Sequence, residues 1–366
     1  MQAVVLIGGK GTRLHPLTHT IPKAMVPLRN RPYFCYMMDT LRSAGLSEAI
    51  LCMGYLPDPI RDYFEDRETG DFSLEYVIED RPLGTAGGIK NAERYLEDGP
   101  FVATNGDVLT GLDLSEVIEA HRDSGALATL TLTAVEDPTA YGLVEVDSRM
   151  RVRRFLEKPA YDEATTNLIN AGIYVLEREV LEMIPPGREV SIEREVFPEL
   201  QAMGKLSAHV SSAYWRDIGT PKSYLAASHD ILCGTTARNG SFRYTNVHDS
   251  ASVSKTVTLL PPLDVAANCR IEAGATLGGR TSLGEGCYVG EGAVVEGSIL
   301  LDGAAVEDGA VVRNSVVGPS AVIRSESIVR GLSVVGAGCV IEEGNVLDHG
   351  CRLNPHTRLS RSTICF

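Results

Sequence analysis

The sequence predicts two folded parts in series, an α/β domain on a parallel sheet and then a parallel β-solenoid. Three observations predict it. Short apolar runs alternate with amphipathic helical patterns over the first 230 or so residues. From about Val247 aliphatic residues recur at every sixth position instead. Between these regimes lies a stretch rich in Gly, Ser and Thr that contains CGTTARNGSFRYTN, which reads as a linker. The expected organisation is one domain over 1–231, a linker over 232–246 and a solenoid over 247–366.

The first regime resolves into elements in order. AVVLI (3–7) reads as a buried strand, and YFCYMMDTLRSAG (33–45) as a helix that stops at Gly45. EAILCM (48–53) predicts a strand, 57–68 a helix, SLEYVIE (73–79) a strand and 86–96 a helix. FVATNGD (101–107) is a strand running into a loop, followed by a helix over 114–125 and a strand over 127–135. Strands and helices of these lengths, alternating, imply βαβ units with both sheet faces covered. Ligands of such sheets bind beyond the carboxyl ends of the strands.

In the second regime Ile271, Leu277, Leu283, Val289 and Val295 step by six. After a phase slip, Val317, Ile323, Val329, Val335, Ile341, Leu347, Leu353 and Leu359 continue the step. Neither the 3.6-residue helical period nor the two-residue strand period gives six. A triangular parallel solenoid does, with one inward aliphatic side chain per short face and small residues at the corners.

Composition narrows the function classes. The 366 residues carry 48 acidic and 34 basic side chains, a net charge of −14, so a general nucleic-acid binder with a basic face is disfavoured. A few local cations or a metal ion still suffice for phosphorylated small molecules. The eight cysteines form no CxxC pair and read as reduced thiols. No window reaches 18 consecutive apolar residues, and the start lacks the basic and apolar stretches of a signal peptide. A cytoplasmic protein with no membrane and no nucleic-acid partner is expected.

The loop after the first strand, GGKGTRLHPLT (8–18), fails both common phosphate fingerprints. The Rossmann pattern breaks at Leu14, and Gly11 follows Lys10 where a Walker loop needs Ser or Thr. Closely spaced glycines nonetheless let backbone N–H groups converge on an anion. Arg13 and Lys23 add two cations downstream. The stretch AVVLIGGKGTRLHPLTHTIPKAMVPLRNRPYFCYMMDTLRSAG resembles the N-terminal signature of sugar-1-phosphate nucleotidylyltransferases. These join a nucleoside triphosphate to a sugar 1-phosphate and release pyrophosphate. The resemblance implies a Rossmann-like nucleotidyltransferase domain with a mixed, mostly parallel sheet, and a left-handed β-helix for the hexapeptide repeats. It implies that Gly8, Gly9, Gly11 and Thr12 wrap the nucleotide while Arg13 and Lys23 meet its phosphates.

Two carboxylates follow. Asp107 ends the strand FVATNGD, where a parallel strand faces the ligand crevice. Asp217 lies in YWRDIGTP (214–221) and does not stand out among the neighbouring acids. By the resemblance both hold Mg²⁺ (or Mn²⁺), an ion that favours a few carboxylates with phosphate oxygens and water. Catalysis is thus expected from Arg13, Lys23, Asp107 and Asp217.

For the sugar phosphate, FLEKPA (155–160), NLINAGIYVLE (167–177) and the Tyr141-Gly142 turn look like the family's elements. They imply Lys158 on the phosphate, Glu157 and Asn170 on sugar hydroxyls, and Tyr141 and Gly142 closing over the ring. EDRPLGTAGGIKNA (79–92) resembles the nucleobase segment, with Gly84 and Gly87 permitting close backbone approach and Thr85 able to hydrogen-bond. Glu79 could accept from a guanine N–H edge.

TNGDVLTGLDL, YGLVEV, FLEKP, INAGIYVL, SIEREVFPEL and YWRDIGTPKSYL stand in the order and spacing of mannose-1-phosphate guanylyltransferases. GTP and mannose 1-phosphate are the favoured pair. A glucose-1-phosphate adenylyltransferase, a cyclitol-phosphate nucleotidyltransferase and a non-catalytic regulatory subunit that binds a nucleotide sugar are the alternatives. A solenoid acyltransferase would need a catalytic His, and only His349 and His356 lie beyond residue 248. The solenoid instead predicts a homo-oligomer through its coil ends and flat faces.

Overall fold

The computed structural model describes residues 1–65, 72–160, 164–236 and 245–364. The end of the expected helix over 57–68, most of the expected linker and Cys365 lie outside them. The described chain forms two compact units: Met1–Gly9 with Phe34–Trp215, and Lys10–Tyr33 with Arg216–Phe366.

The first unit is built on a nine-stranded sheet. Its strands are β1 (Ala3–Leu6), β2 (Glu48–Met53), β3 (Ser73–Ile78), β4 (Phe101–Asn105), β5 (Ala128–Ala134), β6 (Gly142–Val146), β7 (Val152–Glu157), β8 (Leu168–Leu176) and β9 (Leu206–Val210). β1 lies between β2 and β4, parallel to both, and β3 extends the parallel set beyond β2. β8 runs antiparallel beside β4 and β5, and β9 is parallel to β5. β6 and β7 form an antiparallel pair at the other edge. The sheet is therefore mixed, and its contiguous parallel set, β3-β2-β1-β4, comes from the βαβ stretch of the sequence.

Helices α1 (Tyr33–Ser43), α2 (Asp58–Glu65), α3 (Gly84–Asn91), α4 (Leu114–Ser124) and α5 (Phe197–Ala202) follow the apolar periodicity. α4 shows the local logic. The Asp113 side chain accepts from Ser115 N–H at its start, and Gly125 closes it in the left-handed region at φ 60°. The core centres on Val4, Ile50, Ala103, Leu130, Tyr174 and Phe197, all fully buried. Tyr174 and Phe197 meet edge to face at 5.0 Å.

One irregularity in β8 bears on function. Asn170 faces Leu132, yet Tyr174 faces Leu130, so four residues of β8 advance against two of β5. Gly172 sits in this bulge at φ 75°, where a Cβ would lie 2.8 Å from the Asn105 side chain. The bulge turns the carbonyl of Ala171 out to accept from Trp215 Nε1 at 3.0 Å.

The second unit is the repeat region with its additions. Short parallel strands stack into three sheets of seven, seven and six strands among the described residues, consistent with a left-handed β-helix. The step of six is one face, and a coil is three faces. Thr281 stands one coil after Leu263, in the 18-residue spacing that also separates Ser250 from Asn268. Two coils are one residue shorter: Ile299 pairs with Ser282 and Val316 with Ile299, and Ser315 N–H donates to the Ser298 hydroxyl across 17 residues. The single phase slip expected from the sequence is thus two slips of one residue, and between them Leu300, Val306 and Val312 keep the interior filled.

Helix α6 (Pro221–Cys233) precedes the coils. Thr220 and Ser223 form a capping box at its start, and Gly234 ends it in the left-handed region. The helix runs two residues, Leu232 and Cys233, into the expected linker. The unit also includes Lys10–Tyr33, a segment of 3-10 turns ending in a hairpin, Pro27–Leu28 against Arg31–Pro32. Arg29 and Asn30 make its turn at φ 47° and 57°. Tyr224 of α6 donates to the Pro27 carbonyl at 2.5 Å.

Candidate active site

In the second unit the signature cations meet the acid of YWRDIGTP. Gly11 takes φ 60°, where a Cβ would lie 3.1 Å from Thr18 Cγ2 and 3.3 Å from Lys23 Cβ. This left-handed residue lets the chain turn directly into Thr12–Leu14, and Thr18 closes the turn by donating to the Gly11 carbonyl at 2.8 Å. Arg13 Nη2 stands 3.7 Å from Asp217 Oδ2, and Lys23 Nζ stands 3.4 Å from Asp217 Oδ1. Lys23 and Asp217 are largely buried, and Arg13 is mostly exposed. The two expected phosphate cations and one expected metal carboxylate therefore form a single charge cluster. Gly219, which no sequence pattern marks, completes it. A Cβ there would fall 2.8 Å from both Arg13 Nη2 and Asp217 Oδ2.

In the first unit the other residues gather at strand ends. Gly106 N–H donates to the Leu6 carbonyl at 2.9 Å, tying the N-G-D turn to the end of β1. A Cβ at Gly106 would lie 3.0 Å from that carbonyl oxygen, so glycine permits the approach. Asp107 is thereby held, half-buried, at the carboxyl ends of β4 and β1, the crevice side of a parallel sheet.

Gly8 and Gly9 follow β1. A Cβ on Gly8 would lie 3.5 Å from the Glu79 carboxylate, and one on Gly88 only 2.8 Å from it. Glu79 is thus threaded between two glycines. It accepts from Leu83 N–H at 3.3 Å, and burial pushes its carboxyl above the usual range against that hydrogen bond. Gly84 and Gly87 do allow close backbone approach, but to the chain itself. Their Cβ atoms would lie 2.6 Å from the carbonyl oxygens of Val190 and Arg188 respectively. The Thr85 hydroxyl donates to Glu193 at 2.7 Å and accepts from Ile192 N–H at 2.8 Å, so it fixes the 190–193 segment.

The sugar-side residues share one neighbourhood. Tyr141 packs edge-on against Trp215 with centroids 5.3 Å apart. The Tyr141 carbonyl accepts from Lys158 N–H at 3.1 Å, and Lys158 is left-handed at φ 51°. Its ammonium is mostly exposed, 3.7 Å from the Glu157 carboxylate. A Cβ on Gly142 would lie 2.9 Å from that carboxylate. Burial, then Glu193, raise the Glu157 carboxyl above its usual range, while Lys158 and Arg194 oppose the shift. Asn170 donates to the Tyr174 hydroxyl at 2.8 Å and accepts from Gly172 N–H at 3.0 Å. Among the described residues these two bonds leave one N–H and one lone pair of the Asn170 amide beyond them. Burial pushes the Tyr174 phenol well up, and the charges of Glu193, Glu157 and Asp107 add to it, while the Asn170 hydrogen bond opposes the shift. Glu193 and Trp215 were not singled out from sequence. Each lies inside a motif of the sequence, SIEREVFPEL and YWRDIGTP, but nothing in the pattern separates them from their neighbours.

The nucleotidyl transferase family matches residues 2–233, a span that contains every candidate residue above. The chain belongs to this family. It is a nucleotidyltransferase enzyme, and residues 259–365 match the GMPPB C-terminal domain. Among its relatives, the mannose-1-phosphate guanylyltransferase of Mycobacterium tuberculosis is 42% identical over 284 residues, 76% of this chain and 79% of that one. The mannose-1-phosphate guanyltransferase of Aspergillus oryzae is 35% identical over 74% of each chain. Among solved structures, HddC from Yersinia pseudotuberculosis complexed with GMP-PN superposes with a TM-score of 0.55 at 32% identity, covering 63% of this chain and 99% of that one. Nucleotidyltransferases of this kind generally work with a divalent metal. Among the described residues no helix is long and apolar enough to cross a membrane.

Proposed function

We propose that the chain joins GTP to mannose 1-phosphate, forming a nucleotide sugar and releasing pyrophosphate. The observation that carries the chemistry is the cluster of Arg13 and Lys23 on Asp217, 3.7 and 3.4 Å away. Two cations held by one carboxylate are prepared to pass to a polyanion, because a phosphate offers them more charge and more acceptors. The choice of substrate pair is supported by the mannose-1-phosphate guanylyltransferase relatives and by the nucleotide analogue in the HddC complex.

In this reading Gly8, Gly9, Gly11 and Thr12 wrap the nucleotide, and Arg13 and Lys23 hold its phosphates. Glu79 faces the base at the closely packed segment of Gly84 and Thr85. Lys158 holds the sugar phosphate, Glu157 and Asn170 read hydroxyls, and Tyr141 with Gly142 closes over the ring. The sugar phosphate attacks the α-phosphorus in line. A phosphate monoester is largely deprotonated near neutrality, so no general base is needed, and positioning and electrostatics supply the acceleration.

The donor set suits a hard divalent cation such as Mg²⁺, since Asp107 and Asp217 are both carboxylates at the ends of strands and neither is fully buried. Such an ion would offset charge on the attacked phosphorus and on the leaving pyrophosphate. The division at 232–246, a cytoplasmic setting and assembly into a homo-oligomer through the β-helix belong to the same proposal.

The test is pyrophosphate release with GTP, ATP, UTP, CTP and dTTP against mannose 1-phosphate and glucose 1-phosphate. GTP with mannose 1-phosphate should be turned over fastest. Preference for another pair would overturn the substrate assignment, and binding of a nucleotide sugar with no turnover of any pair would favour a regulatory role.

A further inference from the structure

The segment Lys10–Tyr33 carries both signature cations, and it is grouped with the repeat region rather than with the sheet. Besides the Tyr224 bond to Pro27 and the ion pairs with Asp217, two contacts fasten it to the coils. At its far end the Asn30 side chain donates to Asp264 Oδ2 at 2.6 Å and to the Leu283 carbonyl at 2.9 Å. Asp264 is 4% exposed, and Asn246 also donates to it at 3.1 Å. This end is a buried, satisfied anchor. At the near end, Arg352 of a late coil donates through Nη1 to the carbonyls of Arg13, at 3.2 Å, and His15, at 3.4 Å. The residue that carries the guanidinium of the charge cluster is thus held by its own backbone from the solenoid.

We propose that Arg352 is a positioning residue for the nucleotide phosphates: its guanidinium clasps the Arg13 and His15 carbonyls and so sets where the Arg13 side chain can reach. Arg13 itself is 64% exposed and stands 3.7 Å from its acid, a loose contact that does little to fix it. Its direction is therefore set by the backbone of the turn. The turn is held besides by Thr18, whose hydroxyl donates to the Gly11 carbonyl, and by the buried Leu14 and Leu17. The clasp also suits its surroundings. His15 stacks on His19 with ring centroids 3.9 Å apart. Burial first, then His19 and Arg352, hold the His15 imidazole below its ordinary range, so near neutrality it does not repel the guanidinium. The role given to Arg352 rests on the reading that Arg13 meets nucleotide phosphates.

The experiment compares full-length wild type with R352Q and R352K. R352Q should raise the KM for the triphosphate and lower kcat/KM for it about tenfold, the scale of one lost transition-state contact. The KM for the sugar phosphate should stay within twofold and the Tm within about 2 °C. R352K keeps a charge able to donate to both carbonyls and should recover much of the loss. Direct binding of a fluorescent GTP analogue should weaken in parallel in R352Q. Unchanged triphosphate KM and analogue binding in folded R352Q would overturn the proposal. So would equal losses for both substrates with a large fall in Tm, the pattern of a merely structural contact. If wild type turns over no substrate pair, the function proposed above fails, and the analogue-binding comparison still decides the role of Arg352.

Discussion

Glycines in this chain sort into two kinds by what an added methyl would touch, and the two kinds predict opposite phenotypes. At Gly219 the methyl would meet the tips of two flexible side chains, Arg13 and Asp217, each 2.8 Å away. Those tips can move at little cost in stability, but they are the charges of the site. Gly219→Ala should therefore cut turnover at least tenfold with Tm nearly unchanged, as steady-state kinetics and thermal melting on one preparation would show. At Gly84 and Gly87 the methyl would meet backbone carbonyls at 2.6 Å, and Gly84 is also at φ 70°. Backbone cannot step aside so easily. Gly84→Ala should lose stability on the order of 1–3 kcal/mol, read by denaturant unfolding, with activity falling only as the folded fraction falls. Asp107→Asn and Lys158→Ala complete the set. The first should lower kcat sharply in a folded protein, and the second should raise the KM for sugar phosphate; normal values in either would remove that residue from its role. The sequence made Gly8, Gly11 and Asp107 legible because each stands at a strand end or turn. It could not show that Gly84 and Gly87 make room for Val190 and Arg188, because that approach joins segments a hundred residues apart.

At the scale of elements, local periodicity carried the fold well. Strands over 3–6, 48–53 and 73–78 lie within a residue of their expected bounds. The exceptions are informative. The bulge in β8 leaves no mark in the alternation of LINAGIYVL apart from Gly172, so the exposure of the Ala171 carbonyl to Trp215 was hidden. The short coils were half-visible, since a total slip between Val295 and Val317 does not say how it is divided. The last coils add a testable device. Asn345 is fully buried; its amide donates to the carbonyls of Glu342 and Ser360, and its oxygen accepts from Thr363 and Ile364 N–H. One side chain thus pins the final described turn to the stack. Asn345→Ala would leave these buried groups unsatisfied, at about 1–3 kcal/mol each for those that water cannot reach. Stability in a repeat array is a sum over neighbours, so the damage should stay local. Hydrogen exchange over 345–364 should quicken while the coils around Leu277 keep their protection.

Over the whole molecule, the compact units do not follow the order of the chain. The sequence pattern predicts a division near residue 232, whereas Lys10–Tyr33 groups with Arg216–Phe366. No local pattern could announce this, because contacts that fasten the segment to the coils, Asn30 to Asp264 and Arg352 to Arg13 among them, span more than two hundred residues. Acid sensitivity also belongs to this scale. His121 is 2% exposed, between Thr129 and Glu177, and burial lowers it although Glu177 opposes the shift. His229 meets the Gly297 carbonyl at 2.9 Å and is lowered by burial as well. As pH falls through the ordinary histidine value of 6.5, an unfolded chain takes up these protons while the folded one does not. The unfolded state then binds more protons, so stability declines with falling pH. Tm should drop between about pH 7.5 and 5.5, more steeply in wild type than in His229→Asn, which keeps a donor but cannot titrate. Identical slopes would remove His229 from the effect.

The two 17-residue coils lose their residue at the same vertex, just before Ile299 and just before Val316, while the inward positions Leu300 and Val317 stay in line. That corner is therefore a place where the gene can gain or drop a codon without disturbing the stack. The same deletion within a face would turn every following side chain inside out. Length variation among natural versions of this array should collect at that edge and avoid the flat sides.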